Sequence, residues 1–222
     1  MSIKENLLKI KSTIPANVTL VAVTKTHPIE KLLDLYEAGH RIFGENKVQE
    51  LVEKYEVLPK DIEWHLIGHL QTNKVKYIAP FIALIHSVDS WKLLQEIDKQ
   101  ALKHKRTINC MLQIHIANEE TKFGLNFQEA ADLIHSKELK ELKNIKIVGL
   151  MGMATNTEDI SQISEEFLSL KLFYDNYSKG SSFNFQLSVL SMGMSSDYLL
   201  AIKNGSTMVR VGSSIFGNRN YG

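Results

Sequence analysis

Lys25 closes an apolar run, Val21-Ala22-Val23-Thr24-Lys25, and Thr26-His27-Pro28 follows it, so a strand delivers a primary amine just before a helix begins. An amine enclosed by apolar walls loses its charge more readily than one in water, and the neutral form attacks an aldehyde to give a Schiff base. Two later stretches carry a different chemistry. Leu190-Ser191-Met192-Gly193-Met194-Ser195-Ser196-Asp197 and Val209-Arg210-Val211-Gly212-Ser213-Ser214 place glycines and hydroxyls directly after apolar runs. Glycine lets a backbone approach an anion, successive N–H groups point at its oxygens, Ser191 and Ser213 add hydroxyl donors, and a following helix adds partial positive charge. An amine facing such an anion site across a shared mouth suits an aldehyde that carries a phosphate ester. Phosphosugars and pyridoxal phosphate both qualify.

Arg210 bears on that choice. It is one of four arginines and lies between Val209 and Val211, which take the other strand face. An inward guanidinium there donates to a ring nitrogen lying across the mouth. Each residue also has a plainer reading: Lys25 solvating a strand end, Ser195, Ser196 and Asp197 capping a helix, Gly193 and Gly212 serving turns, and Arg210 in a buried ion pair.

The elements that must position these groups follow from periodicity. Short β-branched runs alternate with helical segments, which predicts strands over 19–23, 41–43, 64–67, 84–87, 109–116, 145–151, 184–190 and 207–211. Helices are expected over 28–37, 47–55, 71–78, 90–103, 128–135 and 159–179. Eight strands, each followed by a helix, imply right-handed crossovers and an α/β fold, a (β/α)8 TIM-type barrel, with an open doubly wound sheet as the alternative. No proline follows Pro80 and no linker-like stretch interrupts the alternation, so one domain is expected over 1–222. An extra amphipathic helix over 3–14 would close the barrel bottom. In a barrel, chemistry belongs at the C-terminal strand ends, where Lys25 and both glycine-hydroxyl stretches fall.

The formal net charge of +1 leaves no global field to hold nucleic acid or an anionic membrane, so any anion must be gripped locally. The N-terminus lacks a signal-peptide core, and the single cysteine, Cys110, excludes intrachain disulfides, which together point to the cytoplasm. His65 and His69 have a spacing of four but straddle the Gly68 turn without supporting carboxylates or thiols, so no metal site is expected.

VAVTKTHP at 21–28, FGENKVQE at 43–50, WHLIGHLQTNKVK at 64–76, IHSVDS at 85–90, and LSMGMSSD, VRVG and FGNR near the C-terminus resemble the pyridoxal-phosphate homeostasis proteins, a match running from Val21 to Arg219. The resemblance implies the fold-type III barrel, related to the alanine racemase N-terminal domain, with pyridoxal 5′-phosphate as cofactor and Lys25 as its Schiff-base lysine. It further implies that Ser191, Gly193, Ser195, Gly212 and Ser213 hold the phosphate, that Arg210 faces the pyridine nitrogen and that Asn46 lies near the cofactor. The resemblance also places His69 and the Ile67-Gly68-His69 turn at the barrel mouth, with helix capping as the alternative role for that turn, and His69 is left outside the immediate contacts. Met151 and Met153 are assigned to the core, and His115 departs from the family pattern, where asparagine is expected.

Two features argue against turnover. An arginine beside the ring nitrogen disfavours its protonation and weakens the ring as an electron sink. The chain also ends at Gly222, without the second domain that covers the cofactor in alanine racemase. The expectation is a monomeric, non-catalytic protein that buffers pyridoxal phosphate and passes it to apo-enzymes by imine exchange, with no nucleic-acid or membrane partner. A pyridoxal-phosphate racemase or decarboxylase using Tyr198 or His27 as acid or base is the alternative, and a Schiff-base aldolase for phosphosugars is a third reading.

Overall fold

The computed structural model describes residues 2–119 and 123–217. Its first half runs α1 (Ile3–Thr13), β1 (Thr19–Val23), α2 (Ile29–Glu37), β2 (Ile42–Glu45), α3 (Val48–Val57), β3 (Glu63–Leu66), α4 (Val75–Ile78), β4 (Leu84–Val88) and α5 (Trp91–Lys103). The second half runs β5 (Ile108–Ile114), α6 (Phe127–His135), β6 (Ile145–Gly152), α7 (Ile160–Ser178), β7 (Ser181–Ser182), β8 (Phe185–Ser191), α8 (Tyr198–Lys203), β9 (Met208–Val211) and α9 (Ser213–Phe216).

Parallel pairing in the order β6-β5-β4-β3-β2-β1-β9-β8, completed by β6 against β8, closes an eight-stranded barrel. The (β/α)8 expectation therefore holds and the open sheet is excluded. The ninth strand, β7, was not expected from the sequence: it is a two-residue polar segment that pairs antiparallel with β8, as Ser181↔Gln186 and Ser182↔Phe185. Such a segment is too short to show periodicity. Strand β2 runs two residues beyond its expected end, through Gly44 and Glu45, because both pair with β3 opposite His65 and Leu66.

Helix starts follow local chemistry. Ser2 with Glu5, and Asn126 with Glu129, form capping boxes at α1 and α6, while Ser90 and Asp159 cap α5 and α7 with their side chains. Helix α1 does not close the barrel bottom. It packs beside α9 and α2, with the Asn6 amide donating to the Ile215 carbonyl at 2.9 Å and Thr13 bonded to the Tyr198 hydroxyl at 2.9 Å. The four-residue α9 is too short to cover the last strand, and α1 lays its buried Leu7 and Ile10 there instead.

Strand alternation separates two cores. Residues such as Leu20, Ala22, Phe43, Trp64 and Val211 face the helices, whereas Val21, Leu84, Met111, Met151 and Met208 form a smaller plug inside the barrel. Cys110 is buried and unbridged, and burial pushes its thiol pKa up, away from reactivity. Among the described residues no helix is long and apolar enough to cross a membrane.

Candidate functional site

Above the methionine plug, at the C-terminal strand ends, the barrel opens into a cavity of about 680 Å³. Val23 and Lys25 line it from β1 and its turn, Asn46 from beyond β2, and Ile67, Gly68 and His69 from beyond β3. Gln113 lines it from β5, Met153 from beyond β6, Met194, Ser195 and Ser196 from beyond β8, and Arg210, Gly212 and Ser213 from β9 and its turn.

Six of the eight residues expected at the site therefore meet at one cavity: Lys25, Asn46, Ser195, Arg210, Gly212 and Ser213. Their arrangement differs in one respect. The lysine and the glycine-hydroxyl turns do not face each other across the mouth. Barrel closure pairs β1 directly with β9, with Val21 opposite Arg210 and Ala22 opposite Val211, so the two chemistries are neighbours.

The lysine side is held by buried charge. Thr24 is fully buried and bonds the Glu45 carboxylate at 2.5 Å. Lys54, 5% exposed, donates to the Thr24 carbonyl at 2.8 Å and to Glu45 and Glu50 at 2.7 Å each. Burial raises Glu45 to about 7 in spite of the adjacent lysine. Gly68 approaches the Asn46 backbone so closely that a Cβ there would collide with it, which is why the turn beyond β3 needs glycine.

The other side is held by backbone and hydroxyls. Ser191 and Gly193, both expected on an anion, are not on the cavity wall. Ser191 is fully buried as the last residue of β8, and its Oγ accepts from Arg210 Nη1 at 2.6 Å. Gly193 turns the chain at φ +92°, where a Cβ would stand 2.6 Å from the Ala201 Cβ, and its carbonyl accepts the Arg210 N–H at 3.0 Å. Ser195 Oγ accepts the Gly212 N–H at 3.1 Å, which leaves the Ser195 hydroxyl hydrogen to donate elsewhere. Asp197 closes its own turn by accepting the Met194 N–H at 2.6 Å.

Arg210 is inward and 3% exposed, and its second Nη donates to the Gly152 carbonyl at 3.1 Å. Burial lowers it to about 10, so it remains cationic at neutral pH. It is not in an ion pair among the described residues; a hydroxyl and a carbonyl hold it. Nearby inside the barrel, His86 Nε2 and His65 Nδ1 are 3.0 Å apart. Burial drives His65 down to about 3 and His86 well below its ordinary value, so both are neutral.

The rim brings further differences. His69, expected at the mouth but outside the immediate contacts, lines the cavity, bonds Asp89 at 3.0 Å and stacks on Phe123 with ring centroids 4.1 Å apart. Met151 is in the plug as expected; Met153 packs against it, as expected, and also lines the cavity, because β6 ends at Gly152 and the next inward side chain stands at the mouth. Gln113 was missed. Its signal was the strand period, two residues on from the inward Met111. The two candidate acid or base groups lie off the cavity wall: Tyr198 meets Thr13 of α1, and His27 stacks on Phe216 at 4.3 Å. His65 points inward and His69 stands on the rim, and among the described residues no group of three or more His, Cys, Asp or Glu could hold a metal ion. Arg219 lies outside the described residues.

Comparison with known proteins gives a consistent picture. The family model for the alanine racemase N-terminal domain matches residues 1–220. A pyridoxal phosphate homeostasis protein of Aquifex aeolicus (strain VF5) is 39% identical over 204 residues, spanning 91% of this chain and 87% of that one. The structure of PipY from Synechococcus elongatus PCC7942 with PLP bound matches with a TM-score of 0.86 at 35% identity, covering 97% of this chain and all of that one. Alanine racemase of Clostridium difficile 630 shares the fold alone, with a TM-score of 0.80 at 15% identity over 98% of this chain and 56% of its own.

Proposed function

The chain belongs to the alanine racemase N-terminal domain family and, within it, to the pyridoxal phosphate homeostasis proteins, and on that premise we propose that it holds pyridoxal 5′-phosphate reversibly on Lys25 without ordinary turnover. The observation that carries this reading is the convergence of Lys25, Arg210 and the Ser195-Gly212-Ser213 edge on one cavity.

The donor set fits the group. Two barrel strands that are neighbours present an amine, a guanidinium and a hydroxyl-rich glycine turn, matching an aldehyde, a ring nitrogen and a phosphate. When bound, pyridoxal phosphate supplies an aldehyde that condenses with a primary amine, releasing water with no net oxidation or reduction. Lys25 offers the amine. Ser195 and Ser213 offer hydroxyls, and the Gly212 bond to Ser195 fixes the Ser195 oxygen in advance. Ser191, one layer down, fixes Arg210 rather than an anion. Arg210 has donors only, so it gives a hydrogen bond to a ring nitrogen without surrendering a proton, which weakens the ring as an electron sink. That property, together with the placement of Tyr198 and His27 off the cavity wall, favours a carrier over a racemase or decarboxylase.

The test is the visible spectrum of purified protein before and after pyridoxal phosphate, then borohydride reduction and peptide mapping. A yellow chromophore fixed on Lys25 is the expected result; a protein that stays colourless and takes up no cofactor would move the phosphosugar aldolase into first place. Racemase and decarboxylase assays on the loaded protein decide turnover. We further propose that the chain is a one-domain cytoplasmic monomer that delivers its cofactor to apo-enzymes. Sedimentation tests the monomer, and reactivation of an apo-enzyme faster than the free cofactor release rate tests direct delivery.

A further inference from the structure

The turn that carries Lys25 is restrained on both sides by one lysine and two carboxylates. Before Lys25, the Thr24 carbonyl accepts from Lys54 Nζ at 2.8 Å and the Thr24 hydroxyl bonds Glu45 at 2.5 Å. After it, Thr26 sits at φ +66°, a region that a β-branched residue rarely occupies, and its N–H donates to Glu50 at 2.5 Å. Lys54 joins the two sides, because its three hydrogens go to Thr24, Glu45 and Glu50. Glu45 also directly precedes Asn46, so the same network anchors a second residue of the cavity wall.

Stability does not call for this arrangement. Burying charges is costly, and apolar residues of similar volume often replace a buried ion pair without loss. Glu45 Oε2 is buried without a hydrogen-bond partner, so the network is not even fully satisfied. Strain together with an expensive buried charge is characteristic of a place where geometry is specified for function.

We propose that Lys54, held between Glu45 and Glu50, is the positioning residue for Lys25, locking the Lys25–Thr26 turn so that the amine is presented to the cavity in reactive geometry. The proposal rests on Lys25 being the amine that captures pyridoxal phosphate. It assigns the buried charges to covalent capture and not to retention of the phosphate, which belongs to the neighbouring turns.

Two ligands separate these roles. Pyridoxal 5′-phosphate reports covalent capture through chromophore growth and the borohydride-fixed fraction on Lys25, and pyridoxine 5′-phosphate, with an alcohol in place of the aldehyde, reports non-covalent binding alone. Lys54→Met is expected to slow capture by about tenfold or more, since small displacements of a reacting group carry large rate penalties, while its affinity for pyridoxine 5′-phosphate stays within about twofold of wild type. Glu50→Ala, at a less buried site, removes the Thr26 acceptor and is expected to slow capture by a smaller factor. It decides the matter if Lys54→Met fails to fold. Capture at the wild-type rate in a folded variant would overturn the proposal, as would an equal loss of both ligands, which marks a merely structural network. A wild-type protein that binds neither ligand would instead overturn the cofactor reading itself.

Discussion

Two arcs of the barrel mouth, side by side, are built on opposite principles. The arc from β1 to β4 buries ionisable groups: Glu45 and Lys54 around the Lys25 turn, His65 and His86 on β3 and β4, and His40 at the far, N-terminal end of β2. The arc of β8 and β9 uses hydroxyls, backbone N–H groups and one tight glycine turn, with Arg210 as its single buried ion, held by neutral acceptors. Charge in a low-dielectric interior is a long-range and pH-sensitive way to fix a reactive amine. Backbone and hydroxyl donors are short-range and insensitive to pH, which suits the proposed anion-binding edge.

The largest expected effect breaks the first arc at its centre. Lys25→Ala abolishes borohydride-stable attachment of pyridoxal phosphate while leaving the circular dichroism spectrum unchanged, because the side chain it removes is half-buried at the mouth and not part of either core. Persistent labelling, or labelling moved to another lysine at the same yield, would remove Lys25 from its role.

Next comes acid. His40 is held down at about 4, His65 at about 3 and His86 well below the ordinary value, in each case chiefly by burial. These groups are depressed in the folded state, so the stability they protect is fully present above the unfolded value of 6.5 and is lost progressively as pH falls from there to the folded values. Glu45 works in the other direction, since its carboxyl is raised to about 7 and takes up a proton on folding below that pH. Near pH 5 the balance is roughly two protons, or about 2 to 3 kcal/mol of stability lost per pH unit. Urea unfolding between pH 7 and 4.5 measures the slope. His65→Asn is expected to flatten it by about 1.4 kcal/mol per unit; an unchanged slope would show that the histidine pair is not the source.

The second arc yields to shape. At Gly193 an added Cβ meets both Ala201 and Tyr198 at a φ of +92°, so Gly193→Ala is expected to cost about 2 kcal/mol, read as a lower urea midpoint at every pH. The smallest effect is Ser195→Ala, which leaves the Gly212 N–H without its side-chain acceptor, for a loss of about 1 kcal/mol and weaker pyridoxine 5′-phosphate binding. If Ser195→Ala instead stopped covalent capture without weakening that affinity, the division of labour between the arcs would be wrong.

Much of this was legible before the fold was known, for traceable reasons. Strand and helix periods and the reactive types at strand ends are local properties, and the structure retains them, although Ser90 and Asp159, expected as the first residues of their helices, cap them instead. Ser191 and Ser195 were not separable in the same way. They lie four residues apart in one polar stretch, yet one ends a strand under Arg210 and the other reaches the cavity. Met153 packs on the plug as expected yet also reaches the cavity, which depends on where β6 stops.

By itself, the sequence determined an eightfold alternation of strand and helix, an amine at the end of the first strand and an anion-ready composition after the last two. Those are consequences of period and residue chemistry, which act over a few neighbouring positions. Only the tertiary structure decided that the first and last strands are neighbours, that α1 covers the short α9, and that Lys54 reaches Thr24, Glu45 and Glu50 at once. Barrel closure and buried charge pairing join residues far apart along the chain, and their partners exist only when the whole ring has closed.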